Sequence, residues 1–191
     1  MINYLLLTSA WFLYFLLHSV LAADSVKSFF EGNLKSVFRY YRIVYSLIST
    51  IGLFLLILFN ASVVPVLLFK SEGWVRYLSL MLATLGVLVI SQAFREYRFS
   101  TFIGLRREAN EFARSGILNQ VRHPIYSGTI LIVLGFLLFN PTLSTLISVA
   151  CILVYLPVGI HLEEKKLIKQ FGDEYISYKK LVPSIFPKIK I

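Results

Sequence analysis

The residues with the clearest chemical character lie in a polar segment, residues 116–126, that runs directly into an apolar one. Its last five residues read Arg-His-Pro-Ile-Tyr. Proline is favoured at the first position of a helix, because its missing N–H would have no partner there. Pro124 is therefore predicted to begin a helix whose free N–H groups bind a carboxylate or phosphate beside His123 and Tyr126. The alternative is an ordinary helix start at the membrane interface, with the arginine, histidine and tyrosine as anchors.

A pair of carboxylates, Glu163 and Glu164, follows the last apolar segment. They could hold a cationic group of a ligand, or they could be solvated charges that pair with lysines on the same helix. A tight turn at Asn140-Pro141 would fold the last two apolar segments into an antiparallel hairpin. Because this hairpin brings both polar sites to one membrane depth, the two together suit a zwitterionic ligand.

The elements that position these residues are predicted from composition. Of 191 residues, 57% are hydrophobic and only 15% are charged, which favours an integral membrane protein. The predicted fold is an all-α bundle of about five transmembrane helices, since each apolar segment is roughly long enough to cross a bilayer. The segments cover approximately residues 3–22, 43–64, 78–94, 124–139 and 142–162.

These segments predict a single membrane domain, residues 1–191, with three spans in residues 1–94. Residues 95–191 then hold a polar loop, the hairpin and a tail. For the first segment, a cleaved signal peptide ending near Ala22 is the alternative. No lysine or arginine precedes this segment, which argues against a signal peptide.

Basic residues are distributed unevenly along the chain. Segments 24–42, 95–122 and 163–191 hold four, six and seven of the 19 lysines and arginines, which leaves Lys70 and Arg76 elsewhere. The positive-inside rule then predicts an amino terminus outside the membrane and a carboxyl terminus in the cytoplasm. Basic loops that face anionic lipid also explain the net charge of +9 without nucleic acid.

The tail is predicted to begin as a continuation of the last spanning helix. Gly172 is a natural C-cap for that helix, and Asp173 is predicted to cap a second short helix. This tail could lie along the lipid headgroups as an amphipathic helix. Alternatively, it could fold as a lid over the loop before Pro124.

An ordered set of residues within positions 110–187 resembles the isoprenylcysteine carboxyl methyltransferase superfamily, to which phospholipid methyltransferases are related. The matching residues are Gly116, Arg122-His123-Pro124, Tyr126, Gly128, Asn140-Pro141, Glu163-Glu164, Gly172, Tyr175, Tyr178, Val182 and Pro187. Residues Trp11, His18-Ser19 and 39–42 more loosely resemble bacterial small-substrate relatives, including methanethiol S-methyltransferases. This second resemblance suggests the inner membrane of a bacterium.

The resemblance implies that the hairpin and the tail bind S-adenosylmethionine on the cytoplasmic side and that the chain is a methyltransferase. The amino acid moiety of S-adenosylmethionine is zwitterionic, which agrees with the opposite charges predicted to bind at the two polar sites. The cofactor-binding residues implied by position are Asn110, Glu111, Phe112, Ala113, Leu118, His123, Pro124, Ile125, Tyr126 and Glu163.

The methyl acceptor is harder to predict, because the chain departs from the prenylcysteine enzymes. Leu118 stands where those enzymes have tyrosine, Asn110 where they have histidine, and Gly159 where they have a substrate-binding arginine. Unless Arg106 or Arg107 reaches the site, a prenylcysteine carboxylate would lack its charge partner. The acceptor is therefore expected to be a small or lipophilic thiol, carboxylate or lipid amine.

Two histidines outside the motif are candidates for further roles. His161, two residues before Glu163, is the nearest candidate for the general base that a thiol acceptor would need. An interfacial histidine without chemistry is the alternative. His18, near the end of the first span, is either functional or hydrogen-bonded to a neighbouring helix. The scattered histidines and the single Cys151 predict no metal site.

Two other functions remain open at this point. A reductase of the sterol reductase type resembles the same carboxy-terminal half but uses NADPH. A non-catalytic bundle could keep the fold as a lipid-binding or partner-binding module. The expected partners are a small-molecule or lipid substrate and the bilayer, and the sequence predicts no oligomeric state.

Overall fold

The computed structural model describes residues 1–33, 38–96 and 115–188. Within these ranges the chain is helical, and an isolated bridge between Leu67 and Thr142 is the extent of its β-structure. The α-helices of the described part are α1 (Ile2–Ala22), α2 (Asp24–Asn33), α3 (Tyr41–Ser62), α4 (Trp74–Glu96), α5 (Pro124–Phe139), α6 (Leu143–Phe171) and α7 (Asp173–Leu181). Short 3₁₀ turns cover Phe38–Tyr40 and Gly116–Asn119.

Four helices, α1, α3, α4 and α6, are long and apolar enough to cross a membrane. The predicted helical membrane bundle is thereby confirmed. The remaining predicted span, α5, is an apolar helix of 16 residues. At 1.5 Å per residue it is about 24 Å long, against about 30 Å for a hydrocarbon core.

Helix α6 continues well past its apolar section. It has 29 residues, whereas about 20 are enough to cross the hydrocarbon core. Its first 20 residues, 143–162, carry no lysine, arginine, aspartate or glutamate, and the charged section begins at Glu163. We therefore take residues 163–171 of α6 to lie beyond the membrane-spanning section.

Helix α1 packs against α3 and α6 around a core of Leu7, Trp11 and Leu56. The Trp11 Nε1 atom donates a hydrogen bond to Ser148 Oγ at 2.9 Å, and that hydroxyl donates to Asn60 Oδ1 at 3.0 Å. Hydrogen bonds of this kind help to join helices within a bilayer. The first apolar segment therefore packs as one of the helices of the bundle.

Helices α4 and α5 cross closely because glycines lie at their contact. A Cβ atom added at Gly128 would lie 2.6 Å from the Gly86 carbonyl oxygen, and one added at Gly86 would lie 2.6 Å from the Gly128 oxygen. Small residues at helix interfaces allow such close backbone approach in membranes. This crossing fixes the position of α5, and with it the residues at the start of α5.

We expect Gly128→Ala to destabilise the bundle, because a backbone oxygen blocks the new methyl group and one helix must move. Overpacking of this kind costs about 1–3 kcal/mol. The thermal unfolding midpoint in detergent measures the effect. Gly32→Ala, in α2, is the control, since no described atom lies within 4 Å of its Cβ position. Equal midpoints for the two variants would contradict the packing argument.

The junction between α6 and α7 follows the sequence prediction with one correction. Gly172 ends α6 with φ of +54°, a value that glycine adopts readily, so the predicted C-cap is confirmed. The prediction that Asp173 caps α7 is wrong, because Gly172 also occupies the N-cap position and Asp173 is the first helical residue. In the first turn, the Asp173 carboxylate still interacts favourably with the helix dipole.

Candidate functional site

The start of α5 lies beneath the carboxy-terminal tail. Pro124 is the first residue of α5, as predicted, and it is fully buried. The amides of Arg122 and His123 donate hydrogen bonds to the carbonyls of Pro183 at 2.9 Å and Ser184 at 3.0 Å. These contacts support the lid alternative for the tail, because the tail covers the approach to α5.

The loop and the tail are also joined through a buried tyrosine. The Tyr178 hydroxyl donates a hydrogen bond of 2.5 Å to the carbonyl of Leu118, and both residues are buried. Tyr178 packs against the buried Tyr175 of the same helix, with ring centroids 5.9 Å apart. Helix α7 is therefore held against the Gly116–Asn119 turn on one side.

Glu164 is the centre of a buried cluster that ties α5, α6 and α7 together. Its Oε1 atom accepts hydrogen bonds from Arg122 Nε at 3.0 Å and Nη2 at 2.7 Å, and lies 3.2 Å from His123 Nε2. Its Oε2 atom accepts a hydrogen bond from Lys179 Nζ at 2.5 Å. The side chains of Arg122 and Glu164 are each 9% exposed, so this pairing is largely shielded from water.

The surroundings of Glu164 keep its charge in place. Burial acts to raise the pKa of the Glu164 carboxyl, but hydrogen bonds from Lys179, Arg122 and His123 outweigh burial and lower that pKa to about 2. A carboxylate with so low a pKa is a poor proton acceptor at neutral pH. We therefore interpret Glu164 as an anion that fixes the position of its neighbours.

Glu163 has a different environment from Glu164. Its side chain is 42% exposed, and its Oε2 atom lies 3.5 Å from Nδ1 of the buried His123. Glu163 also lines a cavity of about 450 Å³. The two glutamates are adjacent in the sequence, but their surroundings differ. Glu164 lies in a buried ion-pair cluster, whereas Glu163 lies at an open cavity.

This cavity lies where the charged end of α6 meets α1, α3 and α5. Its lining includes three tyrosines, one histidine and several small residues. It also includes three lysines and two carboxylates, so both positive and negative charges are present. The lining residues are His18, Ser19, Ala22, Ala23, Asp24, Tyr45, Tyr126, Tyr155, Gly159, Leu162, Glu163, Lys165, Lys166 and Lys169. A cavity of this size is within the range of about 300–1,000 Å³ that is usual for small-molecule sites.

Helix α6 presents one face to the cavity. Tyr155, Gly159 and Glu163 follow one another at intervals of four residues and so lie along one side of the helix. A Cβ atom at Gly159 would lie 3.3 Å from the Tyr126 hydroxyl oxygen and 3.5 Å from the Tyr155 ring. The glycine therefore lets Tyr126 approach α6 closely and leaves the middle of this face without a side chain.

Helix α1 forms another wall through hydrogen-bonded polar groups. The Ser19 and Tyr155 hydroxyl oxygens are 2.8 Å apart, which joins α1 to α6. His18 Nδ1 lies 3.1 Å from Ser49 Oγ of α3. Lys166 Nζ donates a hydrogen bond to the carbonyl of Ala22. The three helices are thus connected by polar contacts at the cavity.

Comparison with known proteins identifies the family. The sequence profile of the family described as NnrU protein matches residues 6–183. The chain belongs to the NnrU family. Curated relatives of this NnrU-family protein carry methyltransferase names, which confirms the predicted resemblance to the isoprenylcysteine carboxyl methyltransferase superfamily.

Three relatives illustrate the similarity. The NnrU-family chain is 30% identical to methanethiol S-methyltransferase 1 of Bradyrhizobium diazoefficiens, over 89% of this chain and 62% of the relative. It is 28% identical to methanethiol S-methyltransferase of Crocosphaera subtropica, over 90% and 70%. It is 32% identical to protein-S-isoprenylcysteine O-methyltransferase of Schizosaccharomyces pombe, over 56% and 49%. It therefore spans less than two thirds of the first of these relatives, and no solved structure matches it.

The structure places the predicted cofactor residues of this NnrU-family protein in three groups. Tyr126 and Glu163 line the cavity. His123 contacts Glu163 behind that wall, and Leu118 and Pro124 are buried near the tail, with Ile125 half-buried in the first turn of α5. Residues Asn110, Glu111, Phe112 and Ala113, and also Arg106 and Arg107, lie outside the described residues.

The two histidine candidates in the NnrU-family chain lie in different environments. His161 is on the exposed side of α6 and is not among the residues that line the cavity. Two residues along a helix correspond to a rotation of about 200°, so His161 points away from Glu163. His18 lines the cavity instead. A base role for His161 stays a prediction, and His18 becomes the second candidate.

Several residues of the cavity in this NnrU-family protein were not predicted from the sequence. Tyr45, Tyr155, Lys165 and Lys166 all line the cavity, and none of them was among the predicted site residues. Tyr155, Gly159 and Glu163 are spaced four residues apart, which places them on one side of a helix. This spacing could have identified Tyr155 as a neighbour of Glu163. Tyr45 could not have been found in this way, because only the packing of α3 against α1 brings it to the cavity.

Proposed function

We propose that this NnrU-family protein is an S-adenosylmethionine-dependent membrane methyltransferase that acts on a small or lipophilic acceptor at the cytoplasmic face. The observation that carries the proposal is the cavity that joins Glu163 and Tyr126 to Gly159 and a group of lysines. The names of the relatives, methanethiol S-methyltransferase and protein-S-isoprenylcysteine O-methyltransferase, support the same class of reaction.

The residues of the cavity are chemically suited to this cofactor. S-adenosylmethionine has an ammonium group, a carboxylate and a sulfonium group. Glu163, which is partly exposed and contacts His123 and the Tyr126 side chain, can accept hydrogen bonds from the ammonium group. Lys165, Lys166 and Lys169 line the same space and can attract the carboxylate. When bound, the cofactor supplies a methyl group on a positively charged sulfur.

Tyrosine rings are well suited to the positive charge of the sulfonium. A ligand cation over the face of an aromatic ring is stabilised by roughly 0.5–2 kcal/mol. Tyr126, Tyr155 and Tyr45 all line the cavity, from three different helices. Because Gly159 has no side chain, the Tyr126 and Tyr155 rings both lie within 4 Å of its Cβ position and form one aromatic surface. The protein would contribute alignment of the reactants and exclusion of water.

The distribution of charge supports a cytoplasmic site. Within the described part of the chain, most basic residues lie at the same end of the bundle as the cavity. By the positive-inside rule this end would face the cytoplasm, and in a bacterium the membrane would be the inner one. S-adenosylmethionine is a charged molecule, so a site at the aqueous end of the bundle is accessible to it.

Binding calorimetry on the detergent-solubilised chain tests the proposal. We expect saturable binding of S-adenosylmethionine and of S-adenosylhomocysteine, because both carry the amino acid moiety that Glu163 and the lysines can hold. We expect no binding of NADPH under the same conditions. Binding of NADPH alone would favour a reductase, and the absence of binding for all three would favour a non-catalytic module.

A further inference from the structure

A hydrogen-bonded group formed by His18, Tyr45 and Ser49 lies at the cavity on the side of α1 and α3. The Tyr45 hydroxyl oxygen is 3.1 Å from His18 Nε2 and 3.2 Å from Nδ1, and Ser49 Oγ is 3.1 Å from Nδ1. His18 and Tyr45 both line the cavity. The methyl transfer proposed above assigns no role to this group.

The arrangement allows His18 to take up a proton. In the tautomer that donates Nδ1–H to Ser49, the lone pair of the ring lies on Nε2. The Tyr45 hydroxyl oxygen is nearly equidistant from the two ring nitrogens, so it lies over the ring and outside the plane of this lone pair. Tyr45 therefore does not block proton uptake at Nε2.

We infer that the acceptor is a small thiol and that His18 is the base that removes its proton; this inference rests on the proposed methyl transfer. The S–H bond breaks, its electron pair stays on the acceptor sulfur, and the proton binds Nε2 of His18. That sulfur then forms the new S–C bond, and the electron pair of the broken sulfonium S–C bond stays with S-adenosylhomocysteine. The proton leaves His18 for the solvent after the product departs.

The cavity favours a thiol over the other acceptors. A carboxylate needs a fixed cation within the aromatic part of the wall, and Gly159 provides none at the middle of the α6 face. An amine holds its proton more tightly than a thiol, with reference pKa values of about 10.4 for lysine and about 8.5 for cysteine. The lysines that line the cavity also disfavour a second ammonium group beside that of the cofactor.

The charged and titratable groups around His18 come from α1, α2, α3, α5 and α6. On α1, the Tyr14 ring centroid lies 6.0 Å from that of His18, and on α6 the Tyr155 centroid lies 6.4 Å away. The charged groups Lys166, Glu163 and Asp24 line the same cavity as His18. The other titratable groups that line the cavity are Tyr45, Tyr126, Lys165 and Lys169.

Methyl transfer to two thiols of different acidity tests the inference. Ethanethiol is protonated at neutral pH and needs a base, whereas thiophenol is largely ionised and needs none. We expect His18→Gln to lower kcat/KM for ethanethiol by roughly 10²–10⁴-fold, the usual contribution of a general base. Because thiophenol does not depend on the base, its kcat/KM should change by less than about fivefold. Thiophenol thus serves as a control within the same variant.

Equal losses for the two thiols would assign His18 a structural role and overturn the inference. A thiol-dependent loss in His161→Gln, with His18→Gln unaffected, would transfer the role to His161. Binding of S-adenosylhomocysteine is measured in parallel on the unmodified chain. If that ligand does not bind, the proposed function itself fails. If it binds and the chain methylates only carboxylates or amines, the inference about the thiol fails alone.

A measurement on the unmodified chain covers the case in which His18→Gln does not fold. Histidine side chains labelled with nitrogen-15 report ring protonation by magnetic resonance. We expect ethanethiol, added to protein saturated with S-adenosylhomocysteine, to move one histidine signal toward the imidazolium state. Because the chain has three histidines, His123→Gln and His161→Gln assign the other two signals and leave the third to His18. A protonation state of His18 that does not change on addition of the thiol would overturn the inference.

Discussion

Replacing Glu164 with glutamine is expected to release the tail from the start of α5. The variant leaves Arg122, His123 and Lys179 around a buried position without their anion. Removal of one partner from a buried ion pair costs about 3–5 kcal/mol. Because Lys179 is 44% exposed, the lower part of this range is expected. The thermal unfolding midpoint should fall, and trypsin should cleave after the lysines of the tail.

The control for this variant is Asp173→Asn. Asp173 is an exposed carboxylate in the same tail, so its substitution removes the same charge without opening the cluster. A small effect is expected, since a charge in the first turn of a helix contributes about 0.3–1 kcal/mol. Similar losses of stability for the two variants would show that Glu164 does not hold the tail.

Acid should have the same effect as the Glu164 substitution. The pKa of Glu164 is lowered from 4.5 to about 2 in the folded protein, by Lys179, Arg122 and His123 against the effect of burial. A lowered pKa stabilises the folded state fully above pH 4.5, and this contribution is lost as the pH falls toward 2. Protection of the tail from an acid-stable protease should therefore decrease across that interval.

Replacing Glu163 with glutamine is expected to weaken S-adenosylhomocysteine binding by about 10–100-fold. The proposed role of Glu163 is to hold the ligand ammonium group, and hydrogen bonds to charged groups contribute about 1.5–3 kcal/mol. Because the Glu163 side chain is 42% exposed, the unfolding midpoint should change little. Calorimetry and thermal unfolding on the same preparation separate the two effects.

Glu72→Gln is the matched control, since Glu72 is an exposed carboxylate in the loop between α3 and α4. It removes the same charge without touching the cavity. We expect Glu72→Gln to bind S-adenosylhomocysteine like the unmodified chain. Unchanged binding in Glu163→Gln, or an equal loss in Glu72→Gln, would exclude the assigned role of Glu163.

Local features of the fold could be predicted from the sequence because they depend on neighbouring residues. Pro124 begins α5 through its missing N–H, and Gly172 ends α6 through its positive φ. The predicted hairpin of α5 and α6 follows from Asn140-Pro141 between two apolar segments. At Asp173 the prediction was wrong by one position, because a glycine in an unusual conformation serves both helices.

The difference between Glu163 and Glu164 could not be predicted. Adjacent residues on a helix point about 100° apart, and which one is buried depends on what packs beside the helix. Arg122 reaches Glu164 across 42 residues of sequence, and Lys179 across 15. Such contacts arise only when the tail has folded back over the hairpin.

The cavity as a whole could not be predicted from the sequence either. Its walls come from the ends of several helices, and a sequence does not show which apolar or aromatic residues of a span face inward. His18 was recognised as an unusual residue within a span, but its partners Tyr45 and Ser49 lie on α3. Because of these contacts, His18 is a candidate, in addition to His161, for the base that removes the acceptor's proton.

The central claim is that the cavity between α1, α3, α5 and α6 binds the methyl donor. Irradiation of the unmodified chain with radiolabelled S-adenosylmethionine, followed by peptide mapping, tests this claim directly. We predict that the label attaches to peptides containing Tyr126 or residues 155–169, and that unlabelled S-adenosylhomocysteine prevents it. Labelling confined to the opposite end of the bundle, residues 60–77, would contradict the account.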